Sequence, residues 1–422
     1  MEDRTPKMFV LLFPGFLAAF SVFLSSQMSP VTALAVENTA SPRVENVDSL
    51  SAANTFALKL FKMISANESS NVFLSPSSVS TALLMVLLGA RNNTAAQIAK
   101  QVLSIPKDGE VHQRFGKLIS DINKPGANFS LSQVNQLFGE TSYDFLASYT
   151  ESIQRLYHGG LEKVNFKQAP EDSRRHINAW VAEKTSGKIQ NLLGPGVVNS
   201  LTKVVLVNTM YFAEDWADLF DKNQTQEKPF WINKNENKPV QMMFKNARYN
   251  YAHIPASRIS ILEMPYAGEV FSMFITLPDA IEDNSSGLET LEREMTHEKL
   301  MDWIKKMKRT EIDLSLPKFK LEAKYDLKPV LKSMGMTDAF DVGKADFSGM
   351  STNNDLVISE VVHKSFIEVN EEGTEAAAAT GVNIAFLSAR SPIEFKADHP
   401  FEFYLIDRST NNIRTLGRFS SP

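Results

Sequence analysis

The chain has 422 residues, 43% of them hydrophobic and 10% aromatic, so it can bury a large core and is neither fibrous nor disordered in composition. Its 44 basic residues face 49 acidic ones, a net charge of −5 with no long run of either sign; nucleic acid finds no electrostatic footprint, and no basic cluster suggests a polyanion such as heparin. Cysteine is absent, which excludes disulfides, iron–sulfur sites, thiolate catalysis and cysteine-bound zinc.

The first predicted element is an uncharged apolar run from Met8 to Leu24, followed by Ala33-Leu34-Ala35, a small-x-small cleavage site. Residues 1–35 therefore read as a signal peptide and 36–48 as a polar lead to a main domain spanning 49–422. The mixed charges of MEDRTPK and the Pro14-Gly15 interruption depart from a secretory signal. An uncleaved membrane anchor is the alternative, since the run approaches a bilayer-spanning length. Five sequons, at Asn67, Asn92, Asn128, Asn223 and Asn284, are glycosylation candidates and fit a secreted glycoprotein.

Ala53, Phe56, Ala57, Leu60, Phe61 and Ile64 recur at amphipathic-helix spacing. A second helix starts at Ser75-Pro76, is apolar nearly all round from Val79 to Leu88, and ends at Gly89. A third fits Asp172 to Ser186, with Ile177, Trp180 and Val181 on one face. Strands dominate from about residue 200. Lys203 to Phe212 is a continuous apolar run, as a strand buried on both faces requires. SMFITLPD, EIDLSLPKF and a hairpin turning near Ser409 to Asn412 follow. In LVISEVVHKSFIEVN, Val361, His363, Ser365, Ile367 and Val369 share one face. No linker or repeat divides the chain, so the reading is one α+β domain.

A search for catalysis returns nothing. His297-Glu298 lacks the second histidine of a zinc-protease helix, and there is no Gly-x-Ser-x-Gly elbow, P-loop or dinucleotide fingerprint. His112, His158, His176, His253 and His399 stand alone. The chain is not read as an enzyme, and no cofactor or metal is implied.

One stretch remains, EEGTEAAAATGVNIAFLSARS, from Glu371 to Ser391. As a helix it has no apolar face to dock; a flexible surface loop is a second reading. As a strand it places Thr374, Ala376, Ala378, Thr380, Val382 and Ile384 on one small-then-apolar face. It can live as an exposed loop or as a sheet strand.

Here the chain resembles the serpins. GTEAAAAT is similar to the hinge of the reactive-centre loop in inhibitory members. Further family landmarks are NVFLSPSSVSTAL, NTMYF with Trp216 and Phe220 after it, PVQMMF, LPKF, LKSMGM, HKSFIEVNEEGTEA, ADHPFEFYLI and GRFSSP. The last two resemble the ovalbumin-type branch, which includes leukocyte elastase inhibitor and commonly lacks a cleavable signal; a cytoplasmic location is thus the alternative to secretion. The resemblance implies a serpin domain with a large, mostly antiparallel central sheet, two further sheets, eight to nine helices and a reactive-centre loop over about 371–391. It implies a suicide substrate of chymotrypsin-like or elastase-like serine proteases, trapping the acyl-enzyme as the cut loop inserts into the central sheet. The hinge would be Glu372, Gly373, Thr374, Glu375, Ala376, Ala377, Ala378, Ala379 and Thr380. Fifteen residues from Gly373, counted as the family does, put the scissile bond at Leu387-Ser388; Arg390 offers a trypsin-like alternative. Ser75, Ser78, Asn208 and His363 match the family's shutter, a polar cluster beneath the sheet. The implied partner is the target protease, held covalently by a monomeric inhibitor. A non-inhibitory carrier, chaperone or storage serpin is the alternative function. Ala213-Glu214-Asp215 stands where the family usually has Lys-Gly, and a local loop change is expected there.

Overall fold

The computed structural model describes residues 42–422 apart from 67, 106–109, 123–129, 280–284 and 375–391. The apolar run at Met8 to Leu24, the sequons at Asn67, Asn128 and Asn284, the hinge residues Glu375 to Thr380 and the Leu387-Ser388 bond lie outside the described residues. Among the described residues no helix is long and apolar enough to cross a membrane.

Two helices form where the spacing puts them. The first, α1 (Pro42–Ser65), buries Phe56, Ala57, Leu60, Phe61 and Ile64. It begins earlier than its apolar stripe, inside the segment read as a polar lead. The second, α2 (Pro76–Gly89), is buried on nearly every side, and Ser75 caps it by accepting a hydrogen bond from the Ser78 amide at 3.3 Å. Gly89 is its last helical residue, and it needs to be small: a Cβ there would sit 2.8 Å from that of Met350. A further helix at Pro170–Lys184 buries Ile177 and Val181.

The strands in chain order are β1 (Val72–Leu74), β2 (Ser130–Glu140), β3 (Gly160–Val164), β4 (Val204–Asp215), β5 (Gln226–Asn233), β6 (Glu236–Ile254), β7 (Ile259–Pro265) and β8 (Phe271–Pro278). Then come β9 (Lys308–Pro317), β10 (Phe319–Asp326), β11 (Ile358–Val369), β12 (Gly373–Thr374), β13 (Ile393–Lys396), β14 (Phe401–Asp407) and β15 (Asn412–Phe419). Nine strands follow the path β1-β15-β14-β8-β7-β6-β9-β13, with β5 on β6. The two smaller sheets expected from sequence are joined in this path because β6, 19 residues long, pairs with β5 and β9 along most of its length and with β7 at its end.

The other sheet runs β10-β11-β12-β4-β2-β3. It is mixed: β10–β11 and β4–β2 are antiparallel, while β11–β4 and β2–β3 are parallel. Strand β4 is buried on both faces, which explains its continuous apolar run. Val205 and Val207 pack into a core with Ile177, Val181 and Phe366 on one side. On the other side, Leu206 joins the core beneath α1 and α2, while Met210 and Phe212 join the core between the two sheets. Strand β11 repeats this split, with Val361 in the first of those cores and Ile367 in the second.

Ala213-Glu214-Asp215 corrects an expectation. These residues form the last turn-free stretch of β4, where a loop change was expected. Ala213 pairs with Ser130 of β2, and Glu214 and Asp215 pair with Thr374 and Gly373. Backbone partners on both sides hold the segment extended whatever its side chains.

Candidate functional site

Two polar constellations interrupt the six-stranded sheet. The first lies midway along it, in the seam between the two cores shared by β4 and β11. His363 and Asn208 are register partners on parallel strands, and Asn208 is opposite Asn135 of β2. All three side chains point the same way, so they form a row across three strands. His363 Nε2 accepts from the Ser75 amide at 3.1 Å. The Nδ1 nitrogen must then carry the hydrogen, and it donates to Asn208 Oδ1. Asn208 Nδ2 donates in turn to Ser78 Oγ at 2.6 Å and to Asn135 Oδ1. Ser75 Oγ donates to the Arg414 carbonyl at 3.0 Å, tying the cluster to β15.

The four residues singled out from sequence, Ser75, Ser78, Asn208 and His363, are thus brought together and fully buried. Burial lowers the His363 pKa to about 3, so the ring is neutral at any physiological pH. It lies parallel to the Tyr325 ring, 6.4 Å between centroids. Asn135 completes the row and was not anticipated; a lone asparagine on an alternating strand carries no sequence signal.

The second constellation is at the end of the slit between β11 and β4. The chain leaves β11 at Val369 and turns sharply. Asn370 Oδ1 accepts from the amides of Glu372 (2.9 Å) and Gly373 (3.1 Å), and the Asn370 amide donates to the Gly373 carbonyl at 2.9 Å. Trp216 clasps the turn, its amide donating to the Glu372 carbonyl at 2.8 Å and its indole to the Asn370 carbonyl at 3.0 Å. The chain then returns as β12, antiparallel both to β11 (Val369↔Thr374) and to β4.

Side chains seat this turn. Glu371 is buried, ion-paired with Lys318 at 2.9 Å, and accepts from Thr225 Oγ1 at 2.8 Å. Burial pushes its carboxyl up, but the Lys318 and Thr225 bonds outweigh that and hold it below the ordinary value. Glu372 pairs with Lys222 at 2.5 Å. Gly373 has φ +153, and a Cβ on it would meet the Glu214 carbonyl oxygen at 2.2 Å. Thr374 is completely buried, its hydroxyl 2.9 Å from that of Tyr266. Of the expected hinge, then, Glu372, Gly373 and Thr374 are in view, and Thr374 takes the inward position that strand alternation assigned it.

The remaining candidates sit apart. Asn92 is exposed, and its amide donates to Asp346 Oδ2 at 2.6 Å; the Asn223 amide donates to Asp221 Oδ1 at 3.0 Å. Four of the five solitary histidines have side-chain partners: His112 meets Tyr157, His176 Glu162, His253 Asp279, and His399 Asp398 and the Pro278 carbonyl, while His158 takes the left-handed position that ends its helix. Among the described residues no group of three or more histidines and carboxylates could hold a metal.

A mixed sheet whose strands β11 and β4 part at one end around β12 is the frame of the site, and comparison with known proteins gives its class. The family model Serpin (serine protease inhibitor) matches residues 51–422. The chain belongs to the serpin (serine protease inhibitor) family. It is 51% identical over 382 residues to Serpin B6 of Pongo abelii and 47% identical over 380 residues to leukocyte elastase inhibitor of Homo sapiens, in both cases covering 89% of this chain and 100% of the relative. The crystal structure of uncleaved ovalbumin is similar with a TM-score of 0.81 at 37% identity, covering 89% of this chain and 100% of that one.

Proposed function

We propose that the protein inhibits chymotrypsin-like or elastase-like serine proteases by offering Leu387-Ser388 as a scissile bond and trapping the acyl-enzyme as the cut loop inserts between β11 and β4. The observation that carries this reading is β12. Strands β11 and β4 otherwise pair parallel, and the chain beyond β11 already enters the slit antiparallel to both. A strand continuing from Thr374 would exchange one parallel seam for two antiparallel ones, and antiparallel pairing is slightly more stable per residue. Insertion must outrun deacylation of the acyl-enzyme, so residues entering the slit have to be small and uncharged. Thr374 and the alanines from Ala376 to Ala379 meet that demand. Ser75, Ser78, Asn208 and His363 would act as the gate, since their bonds to one another span the strands that part.

Incubation with chymotrypsin tests the reading. An inhibitor leaves a complex that survives SDS, and the mass of the released C-terminal peptide places the cut after Leu387; a parallel incubation with trypsin tests the alternative cut after Arg390. A non-inhibitory serpin gives clipped product alone. For location we favour the cytoplasmic reading over secretion: Serpin B6 and leukocyte elastase inhibitor are matched over their whole length by 89% of this chain, which leaves the run from Met8 to Leu24 without a counterpart in either. Expression of the full chain with a C-terminal tag, read by cell fractionation and glycosidase shift, separates the two.

A further inference from the structure

We infer that Tyr266 is a positioning residue for loop insertion: its hydroxyl holds Thr374 in the slit, so that the first rung of the inserting strand exists before any protease arrives. The inference rests on the inhibitory reading above for its consequence, though not for its geometry.

Tyr266 follows β7 and so belongs to the nine-stranded sheet, not to the sheet that must open. Its amide donates to the Phe271 carbonyl at 3.0 Å, and it forms a backbone bridge with Trp216. The ring cannot turn. It stacks on Trp216 at 4.4 Å and 18° and meets Phe212 edge-on at 4.9 Å and 81°. The hydroxyl therefore projects from a fixed post into the slit, where Thr374 Oγ1 lies 2.9 Å away. Both residues are wholly buried.

A two-residue strand closed by a tight turn is not stable unaided. Here the Trp216 bonds hold the turn, Gly373 fits against β4 only because it lacks a Cβ, and the Tyr266–Thr374 pair satisfies a hydroxyl that would otherwise be buried without a partner. Once the loop is cut, strand growth extends an existing rung. The entropy of bringing the first residues into register has already been met in the resting protein. The race between insertion and deacylation is thereby tilted toward trapping.

The test uses the full chain with Tyr266→Phe, Thr374→Val, Thr374→Ser and the Phe/Val double variant. Hydrogen exchange of the segment 369–374 in the uncut protein reads the latch itself. It is expected to speed up about fivefold in Tyr266→Phe and Thr374→Val, to stay at the wild-type rate in Thr374→Ser, and to be no faster in the double variant than in either single one. With chymotrypsin, the excess over one in inhibitor molecules consumed per protease trapped is expected to rise about fivefold in the same variants, with the Tm of the uncut protein nearly unchanged. Equal exchange in wild type and Tyr266→Phe, or effects that multiply in the double variant, would overturn the inference. Should Tyr266→Phe not fold, Thr374→Val alone decides it by the same readings. If wild type traps no protease while exchange still responds as expected, the latch stands and the inhibitory reading is what fails.

Discussion

His363 takes its tautomer from its surroundings. The Ser75 amide occupies Nε2, so Nδ1 holds the hydrogen, and burial depresses the pKa to about 3. An unfolded histidine titrates near 6.5. Between those values the unfolded chain binds a proton that the folded chain refuses, so this residue's contribution to stability is complete above pH 6.5 and is lost as the pH falls toward 3. By pH 4 the loss amounts to about 3 kcal/mol. Guanidinium unfolding at pH 7 and pH 4 should show that increment in wild type and not in His363→Gln. Thr374 gives a second prediction. Arginine at this sealed inward position would bury an unpaired charge at a cost of several kcal/mol. Thr374→Arg should be cut by chymotrypsin without forming an SDS-resistant complex; undiminished complex would contradict the slit as the destination of the loop. Periodicity placed His363 on an inward face with Val361 and Ile367, but not beside Asn208 and Ser75, which are 155 and 288 residues distant in the chain. Only family resemblance supplied that grouping. Trp216 entered only as a family landmark, and Tyr266 gave no warning at all, because an aromatic side chain looks the same in sequence whether it fills a core or aims a hydroxyl.

At the scale of elements, α2 and β4 were legible because each is apolar on every side, a pattern that only complete burial permits. The cap of α2 was legible too, as Ser75-Pro76. Ser75→Ala removes both the cap and the bond to the Arg414 carbonyl, and should cost about 1–2 kcal/mol in the guanidinium midpoint at constant m-value. The end of β4 was misread. Ala213-Glu214-Asp215 departs from the family's usual Lys-Gly and was expected to change a loop, but its conformation is fixed by the backbones of β2 and β12, which no local pattern announces. Strand β12 makes the converse point. Two residues cannot carry a periodicity, and their placement depends on the φ of +153 at Gly373. Gly373→Ala should expel them, seen as loss of exchange protection at Glu214 and Asp215 with the rest of β4 unchanged.

For the molecule as a whole, the proposed function requires that the resting fold not be the most stable one. Cleavage of the loop should raise the Tm by roughly 10 °C or more, measured by calorimetry on intact and clipped protein. An unchanged Tm would mean that no strand had been added. The family model matches residues 51–422, and helix α1 begins before that span, at Pro42. The strand that resumes after the loop has a further consequence. Strand β13 is held to β9 by four register pairs, whereas β6 and β9 share ten. Tension applied along the chain on the far side of the cut site would reach β13 first, and peeling it from β9 breaks far fewer bonds than parting β9 from β6. The nine-stranded sheet therefore has a built-in tear line, and mechanical load would spend itself there before it reached the interior.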